Sequence, residues 1–394
     1  MKKVLVIVIS FISIISVKAI DINSKSGIVY NLNDDIIIYE KDINDKLPIA
    51  SLTKIMTAII VIENTNLDDN VKINYQAFNG LDGYALAGFK AGDKVTIRDL
   101  LYGLMLPSGA ECGNVLAMTV SDSYDEFVDL MNSKVAELQL ENTHFDNVIG
   151  MDSNNNYSTS YDLSIILKYA LNNEIFKSIF TSTSYTTTNG LKFNRTIDKY
   201  GKGMDLSLIK GDKTGHTDEA GYCLASISNI DDIDYLIITL GANNTKDFIN
   251  DHNNLYNYFK DNYSYRYILN KDKLLISIPV KDAKIKTYDV ISNKEIKKYL
   301  SNDINLDDIE YDYNGIDIIT KKIKTNDKLG TISIKYNNEI LDTYDVYLNT
   351  DIKYNIHWFK YVLIISLIIV LIIIIKNKKK NNKKRKIIKK KSRK

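Results

Sequence analysis

The chain has 394 residues, of which 45% are hydrophobic and 25% are charged, and its formal net charge is +2 at pH 7. This composition excludes a disordered chain and is sufficient for two or three folded units. The 2 cysteines are too few for a disulfide scaffold, and the sequence leaves open whether Cys112 and Cys223 pair. The 4 histidines are far apart and form no H-E-x-x-H pattern, so we expect neither a metal site nor a cofactor.

The N-terminal residues have the composition of a secretory signal peptide. Two lysines precede an apolar run from Val4 to Val17, and small residues, Val17 and Ala19, stand at the positions that a signal peptidase examines. We predict that residues 1–19 are a signal peptide cleaved near Ala19. An uncleaved N-terminal anchor is the alternative, although the apolar run is short for a membrane span.

The C-terminal residues have the pattern of a membrane helix followed by a basic tail. The stretch from Tyr361 to Ile375 carries no charge. Its 15 residues reach only about 22 Å, less than the ~30 Å of a bilayer core, so we extend the predicted transmembrane helix to residues 356–375, with Lys360 snorkelling to the interface. Every ionisable residue in the tail, residues 376–394, is Lys or Arg, which places the tail in the cytoplasm and the preceding domains outside the cell membrane.

This topology changes the meaning of the net charge. The tail holds 13 basic residues and the signal peptide holds three lysines, and neither contains an acid, so a total of +2 leaves about −14 on the exported part. We therefore expect no nucleic-acid binding by that part. The tail is interpreted as a stop-transfer signal that also contacts anionic lipid.

The residues after the signal peptide predict an α+β domain. Two strands within residues 26–40, joined by a polar turn, form a hairpin, and a helix enters at Ser51 and continues through the apolar run Ile55–Val61. Residues 205–241 alternate between short apolar strands and turns. Further helices are predicted from apolar spacing at Leu100–Leu106 (capped by Asp99 or a residue just before it), Glu111–Val120, Asp125–Leu138 and Leu163–Leu171. Helices in the middle and strands from both chain ends are typical of an α+β fold.

The composition changes near Tyr263, where a mostly β module is predicted. Only Ile296–Leu300 has a helical pattern, and the predicted strands are Leu274–Val280, Ala283–Val290, Ile316–Ile323 and Gly330–Tyr336. The module contains no cluster of Ser, His and Lys, so we interpret it as a spacer or docking module. The predicted domains are the signal peptide 1–19, the α+β domain 20–262, the β module 263–355, the transmembrane helix 356–375 and the basic tail 376–394.

Ser51 and Lys54 belong to the pattern Ser-Leu-Thr-Lys. A serine hydroxyl becomes a good nucleophile when a neighbouring base takes its proton, and on a helix Lys54 lies one turn beyond Ser51 on the same face. Desolvation by the apolar run that follows would lower the pKa of this lysine enough for the role. Ser207 and Lys210 repeat the spacing, but we predict a strand there, with the two side chains on opposite faces.

Two further motifs follow in the chain. Lys213, Thr214 and Gly215 suit a strand edge beside the nucleophile: the lysine attracts a substrate carboxylate, the threonine donates a hydrogen bond, and the glycine leaves room for substrate. An N–H group of this strand and that of Ser51 would form an oxyanion hole. Ser108, between two predicted helices, can relay a proton to the leaving amine.

These motifs, PIASLTKIMT at 48–57, LMLPSG at 104–109 and KTGHTDEAGY at 213–222, resemble the three active-site boxes of low-molecular-mass penicillin-binding proteins, the serine-type D-Ala-D-Ala carboxypeptidases of peptidase family S11. The resemblance covers about residues 22–262, and the β module and C-terminal anchor also match that family's architecture. It implies a penicillin-recognising fold of a helical cluster plus an antiparallel sheet and an acyl-enzyme at Ser51. It further implies release of the terminal D-alanine from peptidoglycan pentapeptide stems and inhibition by β-lactams.

The middle box departs from the family pattern. That box usually reads Ser-x-Asn, whereas Ala110 occupies the third position here. Asn114, one helical turn further on, is a candidate for the substitute amide, and an ordinary helix residue is the alternative. Loss of one hydrogen bond costs about 1–3 kcal/mol, or roughly ten- to a hundredfold in rate, which weakens an enzyme without abolishing it.

Two alternatives to a carboxypeptidase remain at this level. One is a transpeptidase or β-lactamase with the same fold, although no acidic general base for rapid deacylation is identifiable. The other is a weakly catalytic or non-catalytic protein that binds penicillin or wall peptides.

Overall fold

The structure is a computed structural model that describes residues 20–355 and 358–391, with side chains described as far as residue 382. The predicted signal peptide, residues 1–19, lies outside the described residues. The chain divides into two compact units, and the boundary lies between Ser264 and Tyr265.

The first unit mixes helices with antiparallel strands, which confirms the predicted α+β class. Its strands are β1 (Ser26–Asn31), β2 (Ile36–Lys41), β3 (Leu47–Pro48), β4 (Asn70–Lys72), β5 (Lys94–Thr96), β6 (Tyr157–Ser158), β7 (Ser184–Thr186), β8 (Lys192–Asn194), β9 (Gly211–Thr217), β10 (Gly221–Ile230) and β11 (Ile233–Ala242). Its helices are α1 (Thr53–Asn64), α2 (Ile97–Met105), α3 (Ala110–Val120), α4 (Tyr124–Glu137), α5 (Ser160–Leu171), α6 (Glu174–Phe180), α7 (Thr196–Tyr200) and α8 (Thr245–Asn262). Short 3-10 turns cover Ala50–Leu52 and Tyr75–Phe78.

The largest sheet of this unit has five strands in the order β2-β1-β11-β10-β9. The predicted hairpin is confirmed, since β1 and β2 pair in antiparallel register. β10 and β11 are buried on both faces because Ser226 and Thr239 face α8, whereas Ala225 and Ile238 join the large core that includes α1 and α5. Burial on both faces explains why apolar residues occupy consecutive positions, such as Leu224–Ala225 and Leu236–Ile238, instead of strictly alternating with polar ones.

The predicted helices are confirmed with shifted ends. α2 begins at Ile97 because Thr96 is its N-cap: Thr96 Oγ1 accepts a hydrogen bond from Asp99 N at 3.1 Å, and Asp99 Oδ2 accepts one from Thr96 N at 3.1 Å. This capping box corrects the first choice of Asp99 as the cap. The helix entered at Ser51 starts with the 3-10 turn Ala50–Leu52 and becomes α-helical at Thr53.

The second Ser-x-x-Lys pattern is not on a strand, which corrects that prediction. Ser207 and Lys210 precede β9, and the Ser207 N–H donates to Asp205 Oδ1 at 2.8 Å in a turn. The aspartate competes for the backbone N–H that a strand ladder would use.

The second unit is mostly β up to residue 347. Its strands are β12 (Tyr263–Leu269, which begins at the boundary), β13 (Leu274–Pro279), β14 (Thr287–Ile291), β15 (Ile296–Ser301), β16 (Glu310–Gly315), β17 (Lys328–Tyr336) and β18 (Glu339–Tyr347). The predicted helix at Ile296–Leu300 is wrong, because this segment is β15 and pairs with β12. Its buried residues, Ile296, Tyr299 and Leu300, have helical spacing, but the neighbouring strand supplies their burial. The predicted strand Ile316–Ile323 is also wrong: only an isolated bridge at Ile319 forms, and β16 precedes it.

The chain continues in helix α9 (Trp358–Lys391). Within α9, the segment Trp358–Asn382 is long and apolar enough to cross a membrane, and no other described helix meets that test.

Candidate active site

Ser51 and Lys54 meet at the start of α1. Lys54 Nζ lies 2.7 Å from Ser51 Oγ and donates a second hydrogen bond to the carbonyl of Ile149 at 2.9 Å. Lys54 is only 1% exposed, whereas Ser51 is half-buried. The 3-10 turn followed by α-helix places both side chains on one face, as the spacing predicts.

Burial is the largest influence on the Lys54 amine. It holds the pKa of Lys54 well below its ordinary value, and the positive charge of Lys213 lowers this pKa further. Glu111 and Cys112 act in the opposite direction. The neutral amine, which can accept a proton, is therefore much more accessible in Lys54 than in a solvated lysine.

A loop before β6 holds the carbonyl that Lys54 contacts. Asn147 Oδ1 accepts hydrogen bonds from Gly150 N at 2.7 Å and Met151 N at 2.9 Å, and Thr57 Oγ1 donates to the carbonyl of Val148 at 2.6 Å. Gly150 has φ +84°, and a β-carbon there would lie 1.9 Å from the Ala50 carbonyl oxygen. Asn147 and Gly150 were not predicted as site residues, although Asn at the first and Gly at the fourth position of a four-residue segment is typical of a type I turn.

Ser108 and Lys213 form a second pair. Lys213 Nζ donates to Ser108 Oγ at 2.9 Å and to the carbonyl of Thr214 at 2.8 Å. Ser108 lies between α2 and α3 with φ +64°. This left-handed conformation costs a non-glycine residue about 1–2 kcal/mol, so the surrounding contacts must hold it in place.

The charge of Lys213 is sensitive to its surroundings. The side chain is 1% exposed, and burial lowers the pKa of Lys213 to about 7, opposed by the neighbouring Asp212. Burial raises the pKa of Asp212 to about 6, although Arg195 Nη1 lies 3.3 Å from its carboxylate. An anionic ligand next to Lys213 would favour the protonated lysine.

The edge of β9 lies directly against the 3-10 turn Ala50–Leu52, which contains Ser51 and is called the serine turn below. A β-carbon on Gly215 would be 3.0 Å from the Ile49 carbonyl oxygen and 3.1 Å from Ser51 N. Thr214, the preceding residue, is buried. The glycine therefore allows the strand to approach the backbone N–H of Ser51 closely.

Asn114, the candidate substitute amide, has a partner of its own, which favours the alternative of an ordinary helix residue. Its Nδ2 donates to the carbonyl of Ala77 at 2.9 Å, so its amide holds the 3-10 turn Tyr75–Phe78 against α3. Cys112 and Cys223 are buried free thiols. No cluster of His, Cys, Asp and Glu suited to a metal occurs in the described part of the chain.

Comparison with known proteins identifies the class to which this fold and site belong. The family model described as D-alanyl-D-alanine carboxypeptidase, peptidase family S11, matches residues 14–244. The chain therefore belongs to this family of serine-type peptidases, and the predicted family resemblance is confirmed.

Individual relatives support the same family. The chain is 28% identical to D-alanyl-D-alanine carboxypeptidase DacF of Bacillus subtilis over 342 residues, covering 84% of this chain and 86% of the relative. It is 34% identical to a D-alanyl-D-alanine carboxypeptidase of Streptomyces sp. strain K15 over 216 residues, covering 50% of this chain and 74% of the relative.

Solved structures confirm the penicillin-binding-protein fold. The carboxypeptidase DacD of Francisella tularensis has a TM-score of 0.66 at 22% identity, covering 85% of this chain and 95% of the other, and supports the fold alone. The Streptomyces K15 DD-transpeptidase has a TM-score of 0.57 at 30% identity, covering 61% of this chain and 98% of the other.

Proposed function

We propose that this protein removes the terminal D-alanine from peptidoglycan stem peptides through an acyl-enzyme on Ser51, and that β-lactams inhibit it by acylating the same oxygen. The observation that carries the proposal is the 2.7 Å distance between Ser51 Oγ and the buried Lys54 Nζ. The pairing of Lys213 with Ser108 at 2.9 Å supplies the other proposed catalytic and substrate-binding groups.

Acylation begins with proton transfer from Ser51 Oγ to the neutral Lys54 Nζ. As the proton leaves, Oγ bonds to the carbonyl carbon of the penultimate D-alanine and the π electrons move to the carbonyl oxygen. The N–H of Ser51 and an N–H of β9 stabilise that oxyanion, a role supported by the approach of Gly215 to Ser51 N.

Collapse of the tetrahedral intermediate breaks the peptide C–N bond. The leaving amine needs a proton, and Ser108 relays one to it while regaining a proton from Lys213. Lys213 in its charged form and Thr214 bind the terminal carboxylate. The proton that Lys54 took from Ser51 then passes on to Lys213, so both amines regain their starting charge. Water attacks the ester carbonyl and gives a proton to the neutral Lys54, which returns it to Ser51 Oγ as the ester C–O bond breaks and the shortened peptide leaves.

The proposed location is the outer face of the cell membrane. The apolar helix from Trp358 supports a C-terminal anchor, with the basic tail in the cytoplasm and the carboxypeptidase domain and β module outside. Residues 1–19 would direct export. This arrangement would keep the active site close to newly inserted peptidoglycan.

Transpeptidation is the second candidate. Among the described residues, no acidic side chain is hydrogen-bonded to Ser51 or Lys54, so deacylation by water has no dedicated carboxylate base. An acyl-enzyme that reacts slowly with water survives until an amine acceptor arrives. The similarity to a DD-transpeptidase supports this alternative.

The decisive experiment incubates the full-length protein in detergent with a fluorescent penicillin and with a peptide ending in Lys-D-Ala-D-Ala. Wild type is compared with Ser51→Ala and with Ser207→Ala, which alters the second Ser-x-x-Lys pattern. We expect covalent label and free D-alanine from wild type and Ser207→Ala, and neither from Ser51→Ala.

Three outcomes would point elsewhere. Absence of both label and D-alanine from wild type would exclude the enzymatic function. Label without D-alanine would favour a penicillin-binding protein with little catalysis. Faster D-alanine release with transfer of the peptide to an added amine would favour the transpeptidase.

A further inference from the structure

Glu111, the second residue of α3, is a buried carboxylate that the mechanism above does not use. Its side chain has 0% exposure, and its Oε1 accepts hydrogen bonds from two consecutive backbone groups, Ala87 N at 2.7 Å and Gly88 N at 3.0 Å. Within the described residues, its Oε2 has no hydrogen-bond partner. One oxygen thus binds two donors on a distant part of the chain.

The two donors belong to residues 85–89, a non-helical segment before β5 that we call the 85–89 segment. Its Ala85 carbonyl accepts a hydrogen bond from Ala110 N at 2.8 Å, so the segment is joined to the first residue of α3 as well. A β-carbon on Gly109 would lie 2.7 Å from Ala87 Cβ and 2.9 Å from Ala87 N. The segment therefore packs directly on the residues that follow Ser108.

Ser108 depends on these neighbours for its conformation. Its φ of +64° persists only where surrounding contacts fix the backbone. Gly109 N donates to the Gly103 carbonyl in α2 at 2.8 Å, and Ala110 N donates to the 85–89 segment. Release of the segment would remove one of these two supports.

We propose that Glu111 is a positioning residue that clamps the 85–89 segment to the start of α3 and thereby fixes the turn from which Ser108 reaches Lys213. The inference rests on the proposed function, because it gives Glu111 an effect on acylation through Ser108. The helix dipole favours a carboxylate in the first turn of α3. Burial raises the pKa of Glu111, and the N–H groups of the 85–89 segment oppose this rise.

A charge effect on Lys54 is the competing explanation for the presence of a carboxylate here. The charged and titratable groups that influence the pKa of Lys54 are Lys213, which lowers it, and Cys112 and Glu111, which raise it. Two substitutions separate the effect of the Glu111 charge from the effect of its side-chain length. Glu111→Gln keeps an acceptor oxygen at the same distance and removes the charge, whereas Glu111→Asp keeps the charge and withdraws both oxygens by one methylene.

The test measures the second-order rate of covalent labelling by a fluorescent penicillin, using the full-length protein in detergent. Rates are recorded from about pH 5 to about pH 9 for wild type and both variants. Asp99→Ala is the matched control: Asp99 is also 0% exposed and accepts backbone hydrogen bonds, from Thr96 and Thr188, at the opposite end of α2 from Ser108. Hydrogen exchange of the Ala87 and Gly88 amides reports on the clamp itself.

We expect Glu111→Asp to label at least about tenfold more slowly across the pH range, because the reacting groups are displaced, and to lose protection at both amides. Glu111→Gln should keep the protection and stay within about threefold of wild type, since its amide oxygen accepts the same bonds. Asp99→Ala should lose thermal stability and, while folded, label normally.

Normal labelling by Glu111→Asp with lost amide protection would overturn the inference, as would an equal loss in Glu111→Gln. If Glu111→Asp does not fold, Glu111→Gln decides alone: retained protection and rate support the clamp, and a tenfold loss overturns it. Wild-type labelling in the same experiment tests the proposed function separately.

Discussion

Gly150 gives the sharpest test of how the nucleophile is positioned. A β-carbon there would lie 1.9 Å from the Ala50 carbonyl oxygen, 2.3 Å from the Ala50 carbonyl carbon and 2.9 Å from Ser51 N, all of which are backbone atoms. Because a close C···O contact is about 3.3 Å, Gly150→Ala forces the Ala50 carbonyl to move by roughly 1.4 Å. A misplacement of about 1 Å can cost about a hundredfold in rate, so we expect penicillin acylation to slow by at least that factor.

Gly190→Ala is the matched control for this prediction. Gly150 and Gly190 have similar backbone conformations, φ +84° and +90°, but a β-carbon on Gly190 would meet no atom within 4 Å. Both variants therefore incur the left-handed cost of about 1–2 kcal/mol, and only Gly150→Ala also displaces the serine turn. The assay compares acylation rates and thermal unfolding of the two variants. Equal acylation rates in folded Gly150→Ala and Gly190→Ala would refute the reasoning.

Three further predictions concern charge and hydrogen bonding. The Michaelis constant for the peptide should rise by up to about tenfold per pH unit above about pH 7. Burial lowers the pKa of Lys213 to about 7, so at higher pH this lysine loses the charge that binds the substrate carboxylate. A Michaelis constant that does not change with pH would contradict this. Burial lowers the pKa of His252 from 6.5 to about 3, so only the unfolded chain protonates this histidine between those pH values. The free energy of unfolding should therefore be unaffected by His252 above pH 6.5 and should fall by about 1.4 kcal/mol per pH unit below it. Denaturant unfolding of wild type and His252→Gln at several pH values isolates that slope, which the variant should lack. Asn114→Ala should lower the free energy of unfolding by about 1 kcal/mol, because it removes the hydrogen bond to the Ala77 carbonyl, and should leave peptide turnover within about twofold of wild type. A tenfold loss of turnover would instead support Asn114 as the substitute amide that binds substrate.

Much of the first unit was predictable because its local signals agree with its tertiary contacts. The apolar runs that predict α1 and α3 are buried in the core, and the hairpin of β1 and β2 is joined by a polar turn. The second unit was less predictable. At β15, short apolar spacing fits a helix and a strand equally well, and the pairing with β12 that decides between them involves residues about 30 positions away.

The site shows the same division between local and distant information. The Ser51 and Lys54 contact follows from helical spacing, whereas the close approach of Gly215 to Ser51 N is known only from the structure. Asn147, Gly150 and Glu111 were not predicted, because their partners are backbone groups that only the fold brings near. A sequence pattern does not indicate which backbone carbonyl or N–H group a side chain from a distant part of the sequence will contact.

The two Ser-x-x-Lys patterns in this chain show what converts a spacing into a reactive pair. Lys210 is exposed and lies beside a turn, so water solvates its ammonium group. Lys54 has the same separation from its serine, but α1 is buried and the carbonyl of Ile149 fixes the amine 2.7 Å from Ser51 Oγ. Burial makes the neutral amine accessible, and the loop around Gly150 determines where that amine lies. The nucleophile is therefore specified as much by the loop packed against it as by the four residues of its own pattern.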